Sequence, residues 1–394
     1  MMLKYLVLTL VYVSVVSGVC RIQLQSNATH DKAPLFLQSK GSIYTLLEPH
    51  GSSFQLKNGE KVALGCASAK NKIAEINEAL ADVSCIDNQQ FQFKGRSLQY
   101  TDLNCSTSIS SSIKAQNRPC AAGLGRWYDL GFEVLGAPFI KYFQSCYNVD
   151  KSSVIYSEHD ILGASIEKAQ INNDRPSFKI GGLKVKARLS TVYTQNSQRT
   201  RLANLLGSEE LAKQYISSSS FFAKGHLTPD GDAVLNSWAG ATYFYINVAP
   251  EWQIINTGNW IRIENAARKM AAQLNDTVKV FTGVYDVLTL PDVNGRPVPI
   301  TLAEDDQVEA PKWLWKILHH SASNSAIAFA TLNNPFATSG DQLCNNICNR
   351  YGWAQQEFQD LRRGYTICCT VRDLRKVIPF IPTKADAANI LRFN

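Results

Sequence analysis

The spacing of apolar positions changes character along this chain. Between Ser42 and Gly95, apolar and polar residues alternate in short runs (SIYTLL, SSFQL, KVALGC, QFQFKG) separated by turn-forming residues. A period of two predicts strands. From about Gly123 the runs lengthen and gain aromatic residues. FEVLGAPFIKYFQSCYN suits either a helix or a buried strand, and SSVIYSEHDILGASI reads as a strand pair or a strand and turn. Leu202–Tyr215 has helical composition, whereas VKVFTGVYDV is a β-branched run that predicts a buried strand. WLWKILHH and SAIAFATL predict a hairpin across Ser321–Ser325, with His319 and His320 as strand residues outside any site. QQEFQDL and VRDLRKVI carry helical spacing. Strands and helices do not alternate regularly, and neither repeats nor heptads are present. The expected class is therefore α+β rather than a doubly wound sheet.

The first residues break both patterns. Lys4 precedes a largely apolar run, Tyr5–Val16, followed by the small residues Ser17 and Gly18. This is the pattern of a secretory leader over residues 1–18, with removal near Gly18 or Cys20. The run is shorter than the ~20 apolar residues a membrane span needs, and no later run is long enough, so no membrane anchor is expected. Ten cysteines in an exported chain read as disulfides, and the CxxxC and CC spacings of Cys344/Cys348 with Cys368/Cys369 suit zinc poorly. Sequons at Asn27, Asn104 and Asn275 fit a secreted glycoprotein. Residues 19–125 lack tryptophan and hold four of the ten cysteines between Cys66 and Cys120. They read as a β-rich module, a pro-segment or a substrate-docking unit, with Thr107–Pro119 as a linker. Hydrophobic residues are 45% of the 394, which excludes a globally disordered chain. The net charge of +7 permits a polyanionic partner without requiring one.

The candidate chemistry sits in residues 221–269, where polar groups crowd between apolar runs. KGHLTP carries His226, a group that titrates near neutrality and can act as a base. Gly225 before it leaves room for a close approach. Asn247 lies in the strand-like YFYINVAP, where Asn is disfavoured and needs a reason. Asn256 stands at a turn-to-helix boundary, either as the helix N-cap or as a carbonyl oxygen ligand for a hard ion. Trp260, Glu264 and Arg268 recur at i, i+4 and i+8 and share a helical face, and Glu264–Arg268 is also readable as a plain surface pair. Lys224 is either a phosphate contact or a solvated lysine. Phosphodiester hydrolysis needs a base for water, a cation against the phosphate charge and help for the leaving oxygen, and these residues supply candidates for each.

KGHLTP followed by Asn247-Val-Ala-Pro, five residues, Asn256-Thr-Gly-Asn-Trp, Glu264 and Arg268 resembles the DNA/RNA non-specific endonuclease family with its ββα-metal site. The resemblance covers roughly residues 130–385 and makes 126–394 the endonuclease domain, with a mixed or antiparallel sheet and flanking helices. It implies His226 as general base and Asn256 as the single direct protein ligand of Mg2+, for which Mn2+ is a substitute. Glu264 would hold a water on the metal, and Asn247 would orient the site and contact the scissile region. Arg268 and Lys224 would stabilise phosphate charge. The implied substrates are DNA and RNA, cleaved to 5′-phosphate ends. Within the family, the exported, disulfide-bearing form is similar to secreted arthropod digestive nucleases, including insect double-stranded ribonucleases, which implies an extracellular, digestive-lumen location. One departure stands out: the family's Asp-Arg-Gly-His is Ala223-Lys224-Gly225-His226 here. That change leaves open what orients His226. It also supports an alternative reading as a nucleic-acid-binding or uptake protein that does not cut. A phosphoesterase of small substrates is a third reading.

Overall fold

The computed structural model describes residues 18–25, 30–169 and 175–393. The expected leader, apart from Gly18, and the sequon at Asn27 lie outside them. The fold is α+β, as expected, and is organised by a nine-stranded sheet. In spatial order its main path runs Thr366–Cys369, Ser325–Leu332, Pro311–His320, Thr277–Val287, Ser153–Leu162, Ile140–Asn148, Gly125–Phe132 and Ser112–Cys120. These neighbours are antiparallel; the short Asn389–Ile390 pairs parallel to Ser325–Leu332. The predicted hairpin of WLWKILHH and SAIAFATL is present, in register from Trp313↔Leu332 to His320↔Ser325.

Alternation along these strands separates two cores. Trp313, Trp315 and Ile317 join Trp127, Tyr156 and Phe281 on one face. Leu314 and Leu318 point to the opposite face, with Val278, Val280 and Ile161. The same two-residue period places Ser157, His159, Thr282 and Lys316 on that second face, among apolar neighbours. Helix Ile261–Leu274 buries Ile263, Ala267, Met270 and Ala271 against it. Beneath this helix, buried polar side chains collect on one face of the sheet, and there they form the site.

The N-terminal part forms a six-stranded sheet from Leu35 to Gln99 and a two-stranded ribbon, Val19–Gln23 with Ser53–Lys57. Its apolar residues belong to the same core as the helix-bearing face of the main sheet. Cys20–Cys85 and Cys66–Cys105 lie within it, Cys120–Cys146 joins two strands of the main sheet, and Cys344–Cys369 and Cys348–Cys368 brace the C-terminal region. No cysteine is free, so the zinc reading falls. Among the described residues no helix is long and apolar enough to cross a membrane.

Several expectations needed correction. Thr107–Pro119 is not a linker throughout, because Ser112–Cys120 is the edge strand of the main sheet. Its polar side chains are exposed there while its backbone pairs with Gly125–Phe132, and charge and proline are what an unpaired edge favours. Of the alternatives left open, FEVLGAPFIKYFQSCYN takes the strand reading, divided between two strands, and SSVIYSEHDILGASI takes the strand-and-turn reading, a single strand followed by one helical turn. Leu202–Tyr215 is two helices: Gly207 ends the first with φ +75°, and the Ser208 hydroxyl caps the second by accepting from Leu211 N. QQEFQDL forms short 3-10 turns instead of an α-helix.

Candidate active site

The site begins with a small antiparallel ribbon, Phe222–His226 against Val248–Trp252. The chain then turns through Gln253–Trp260 and enters helix Ile261–Leu274. This is a ββα unit. Gly225 is required by packing, since a Cβ there would lie 2.1 Å from Cδ of Glu251 on the paired strand. Gly258, where the turn widens to a π-type geometry, would set a Cβ 2.7 Å from the Arg363 carbonyl oxygen. Two of the glycines in the sequence motif are therefore close-approach residues.

His226 is held by rings. Phe178 lies 5.0 Å from it between centroids, and Tyr243 meets it nearly edge-on at 4.9 Å. The Tyr243 hydroxyl donates to Asp230 Oδ2 at 2.5 Å. Nε2 of His226 is buried without a hydrogen-bond partner among the described residues. Burial pushes the imidazole pKa down to about 4, with Arg175 acting in the same direction and Asp230 opposing. The ring is thus unprotonated at neutral pH, with an unengaged nitrogen. Packing against Phe178 and Tyr243 does the orienting that Ala223, in place of an acid, cannot. Lys224 lies over the rings of Phe178 and Tyr245, at 5.3 and 5.8 Å.

Asn247 is not mid-strand; it ends a 3-10 turn, Tyr245–Asn247, and is fully buried. Its Oδ1 accepts from Thr228 N at 3.0 Å, and its Nδ2 donates to the carbonyls of Thr228 and Thr242 at 2.9 and 3.0 Å. Its amide is therefore engaged within the protein, clamping the loop two residues after His226. Asn256 does not cap the helix. It has helical φ/ψ inside the turn, is partly exposed, and its amide makes no hydrogen bond among the described residues. That leaves its carbonyl oxygen available to a ligand.

Arg268 does not pair with Glu264. Its Nη1 donates to Asp232 Oδ1 at 2.7 Å and its Nη2 to Asn265 Oδ1 at 2.7 Å. The other Asp232 oxygen meets His159 Nε2 at 2.8 Å, and His159 Nδ1 meets Thr228 Oγ1 at 3.2 Å. Thr228 in turn donates to Ser157 Oγ at 3.0 Å. This chain of contacts ties the main sheet to the His226 loop and to the helix. Burial alone would raise the Asp232 pKa, but the His159 hydrogen bond and the Arg268 charge hold it below the usual carboxylate range. Burial outweighs Asp232 at His159 and lowers its pKa.

A second buried group sits beside it. Lys316 is fully buried, with Nζ 2.7 Å from Thr282 Oγ1 and 5.1 Å from the centre of the Trp260 ring. Burial lowers its pKa against the pull of Glu264, Asp232 and Glu251. Both oxygens of Glu251 are buried without a hydrogen-bond partner among the described residues, and burial followed by the Glu264 charge raises its pKa well above the ordinary value. Glu264 is pushed up to about 7, first by burial, with Lys316 and Arg268 opposing and Asp232 and Asp230 adding to the rise. Asp230 acts electrostatically on His226, Glu264 and Arg268 alike, which gathers the ribbon and the helix around one point. Among the described residues no cluster of three or more His, Cys, Asp or Glu is placed to hold a metal ion. The Asn256 carbonyl and the Glu264 carboxyl of the same ββα unit are oxygen donors, which suit a hard cation that keeps most of its waters.

Sequence reading missed Asp232, His159, Glu251, Lys316, Asp230 and Tyr243. Asp230 and Asp232 had a local signal in the acidic DGD after KGHLTP. His159 and Lys316 had none, since they reach the site from separate strands of the sheet.

The chain is 28% identical over 368 residues to the salivary endonuclease of Lutzomyia longipalpis, spanning 92% of this chain and 84% of that one. It is 26% identical to the salivary endonuclease of Culex quinquefasciatus, over 94% and 92% of the two chains. Human mitochondrial nuclease EXOG is 30% identical across 33% of this chain and 36% of its own. A chain of a solved EndoG/EndoGI complex aligns with 50% of this chain and 74% of its own, at 15% identity and a TM-score of 0.32, a likeness too slight to argue from. The family model for DNA/RNA non-specific endonucleases matches residues 125–374, which hold the ribbon, the turn, the helix and the sheet beneath them. The ββα unit with His226 on its strand and Asn256 at its helix entry thus has its explanation: this chain belongs to the DNA/RNA non-specific endonuclease family.

Proposed function

We propose that the chain is a secreted, Mg2+-dependent endonuclease that hydrolyses DNA and RNA with little sequence preference and leaves 5′-phosphate ends. The observation that carries this is His226: a half-buried residue whose ring is unprotonated at neutral pH, with Nε2 buried and unengaged among the described residues, in the same ββα unit as the unengaged Asn256 amide. Five disulfides and the salivary names of full-length relatives support export.

In this reading His226 takes a proton from the attacking water as the new O–P bond forms. The P–O3′ bond breaks, and solvent returns a proton to the departing oxygen. Arg268 has two of its five N–H donors tied within the protein and offers the rest to phosphate oxygens. Lys224 adds a mobile positive charge. Asn256, with Glu264 holding a water, would hold Mg2+, which supplies positive charge against the phosphate. Asn247 acts by fixing the loop that carries His226.

The test is cleavage of single- and double-stranded DNA and RNA with Mg2+, with chelator, and by His226→Ala. Loss of the base should lower the rate by about 10^2–10^4-fold. Equal cleavage by the variant and the parent protein would reject His226 as base. A second reading, capture without cutting, is favoured by the absence of any acid at position 223 to engage His226. It predicts salt-sensitive binding with no metal-dependent products.

A further inference from the structure

A cavity of about 340 Å3 lies on the far side of Tyr243, whose ring meets His226. Tyr243 and Asp230, which face His226, form one wall. A strap, residues 175–179, forms another. It is fixed by Lys179 N donating to the Tyr243 carbonyl at 2.9 Å and Tyr245 N donating to the Lys179 carbonyl at 3.0 Å. The facing wall is Ser108–Ser111, which comes from before the endonuclease match. Lys179 Nζ bridges the two, donating to Ser111 Oγ at 2.7 Å, and the Ser111 hydroxyl donates to the Gly240 carbonyl at 3.3 Å.

The four charged side chains of this cavity, Arg175, Lys179, Asp31 and Asp230, form no ion pair with one another. Lys179 sits 4.2 Å from the Phe244 ring centre, and burial holds its ammonium pKa below the ordinary value. Neither Lys179 nor the exposed Arg175 has an ion-pair partner among the described residues. Asp31 also lines the cavity, but the Asp230 carboxylate is already engaged by Tyr243. A partly desolvated cation whose partners are a hydroxyl, a carbonyl and a ring is completed by an anion, and phosphate gives the strong charge-assisted bond it lacks.

We propose that this cavity is a subsite for the nucleotide next to the scissile phosphate, with that nucleotide's phosphate on Lys179 and Arg175. The serine hydroxyls and Asp31 are placed to meet sugar hydroxyls or base amino groups. The N-terminal part is thereby one wall of the substrate cleft and belongs to the working enzyme. This rests on the nuclease reading of His226.

The experiment uses the full secreted chain with Lys179→Ala, Arg175→Ala and Lys179→Arg. Binding of a labelled duplex oligonucleotide is measured in chelator across a salt series. Turnover with Mg2+ is measured on long DNA and on bis(p-nitrophenyl) phosphate, which is too small to reach the subsite. Each Ala variant should weaken oligonucleotide binding about tenfold and flatten the log–log salt slope by about one, the signature of one lost phosphate contact. KM on long DNA should rise in both Ala variants while turnover of the small ester is unchanged in Lys179→Ala, and Lys179→Arg should restore both binding and KM. Unchanged affinity and slope in both Ala variants would overturn the subsite, as would an equal loss on both substrates in Lys179→Ala. If the parent protein cleaves neither substrate, the nuclease reading fails separately, and oligonucleotide binding in chelator still decides the subsite. Arg175 is exposed, so its variant reads the site without a folding defect.

Discussion

Asp232 joins three elements that the sequence keeps far apart, and removing it tests the architecture of the site. Its two oxygens accept from Arg268 Nη1 at 2.7 Å and face His159 Nε2 at 2.8 Å, with the Asp232 and His159 side chains 2% and 0% exposed. Asp232→Ala deletes both acceptors and leaves the guanidinium without a countercharge, bonded to Asn265, and the imidazole with Thr228 alone, in a largely desolvated place. Breaking a buried pair in this way costs about 3–5 kcal/mol. Asp232→Asn should cost about half as much, because each bond to a charged group contributes roughly 1.5–3 kcal/mol and one acceptor survives. The Asn carbonyl can still accept from Arg268. His159 can move its proton to Nδ1, donate to Thr228, and accept from the Asn amide at Nε2. The assay is urea unfolding followed by the fluorescence of the seven tryptophans, with Arg268→Gln and the double variant closing a cycle. A coupling energy of about 1–3 kcal/mol between Asp232 and Arg268 is expected. The folded Asp232 pKa is depressed, so its contribution is present above the unfolded carboxylate value and is lost as pH falls through the folded one. A loss under about 1 kcal/mol in Asp232→Ala, or strict additivity in the cycle, would refute the reasoning.

Other outcomes follow from the same geometry. Gly225→Ala forces a methyl to within 2.1 Å of Glu251 Cδ, so it should destabilise by about 1–3 kcal/mol and slow cleavage by shifting His226; an unchanged melting temperature and rate would contradict this. Glu251 has a raised folded pKa, so its ionisation opposes folding above its unfolded value. Glu251→Gln should therefore be more stable than the parent at pH 8, with the advantage gone near pH 4, as read by melting temperatures across that range. His226 has a folded pKa of about 4 against 6.5, so its contribution is complete above 6.5 and fades as pH falls toward 4. Between pH 8 and pH 5 the parent should lose about 2 kcal/mol more than His226→Gln in paired unfolding titrations.

The local parts of the site were legible because they are local. Gly225 beside His226, and the intervals from Asn247 to Asn256 and from Asn256 to Glu264, lie on one continuous ribbon, turn and helix, where sequence distance fixes spatial distance. Their partners were not legible for the opposite reason. Glu264 and Arg268 share a helical face, and from sequence their pairing was a sound expectation. Asp232 captured Arg268 because a loop 36 residues away was folded against the helix with a buried carboxylate. Asn247 read as a substrate-contacting group, but the structure sets its amide between Thr228 and Thr242, contacts that only the closed loop brings together.

The sequence by itself determined the alternation that builds two-faced strands, the disulfide character of ten cysteines, and the motif that carries His226 and Asn256. Each depends on periods or spacings of a few residues, or on composition. Only the tertiary structure decided which charges meet. His159 and Lys316 come from different strands of one sheet, yet both reach the core beneath a single helix, where burial sets their protonation and that of Glu251 and Glu264. Electrostatic effects of that size arise from desolvation and from distances of a few ångströms across the sheet, and neither quantity exists until the chain has folded.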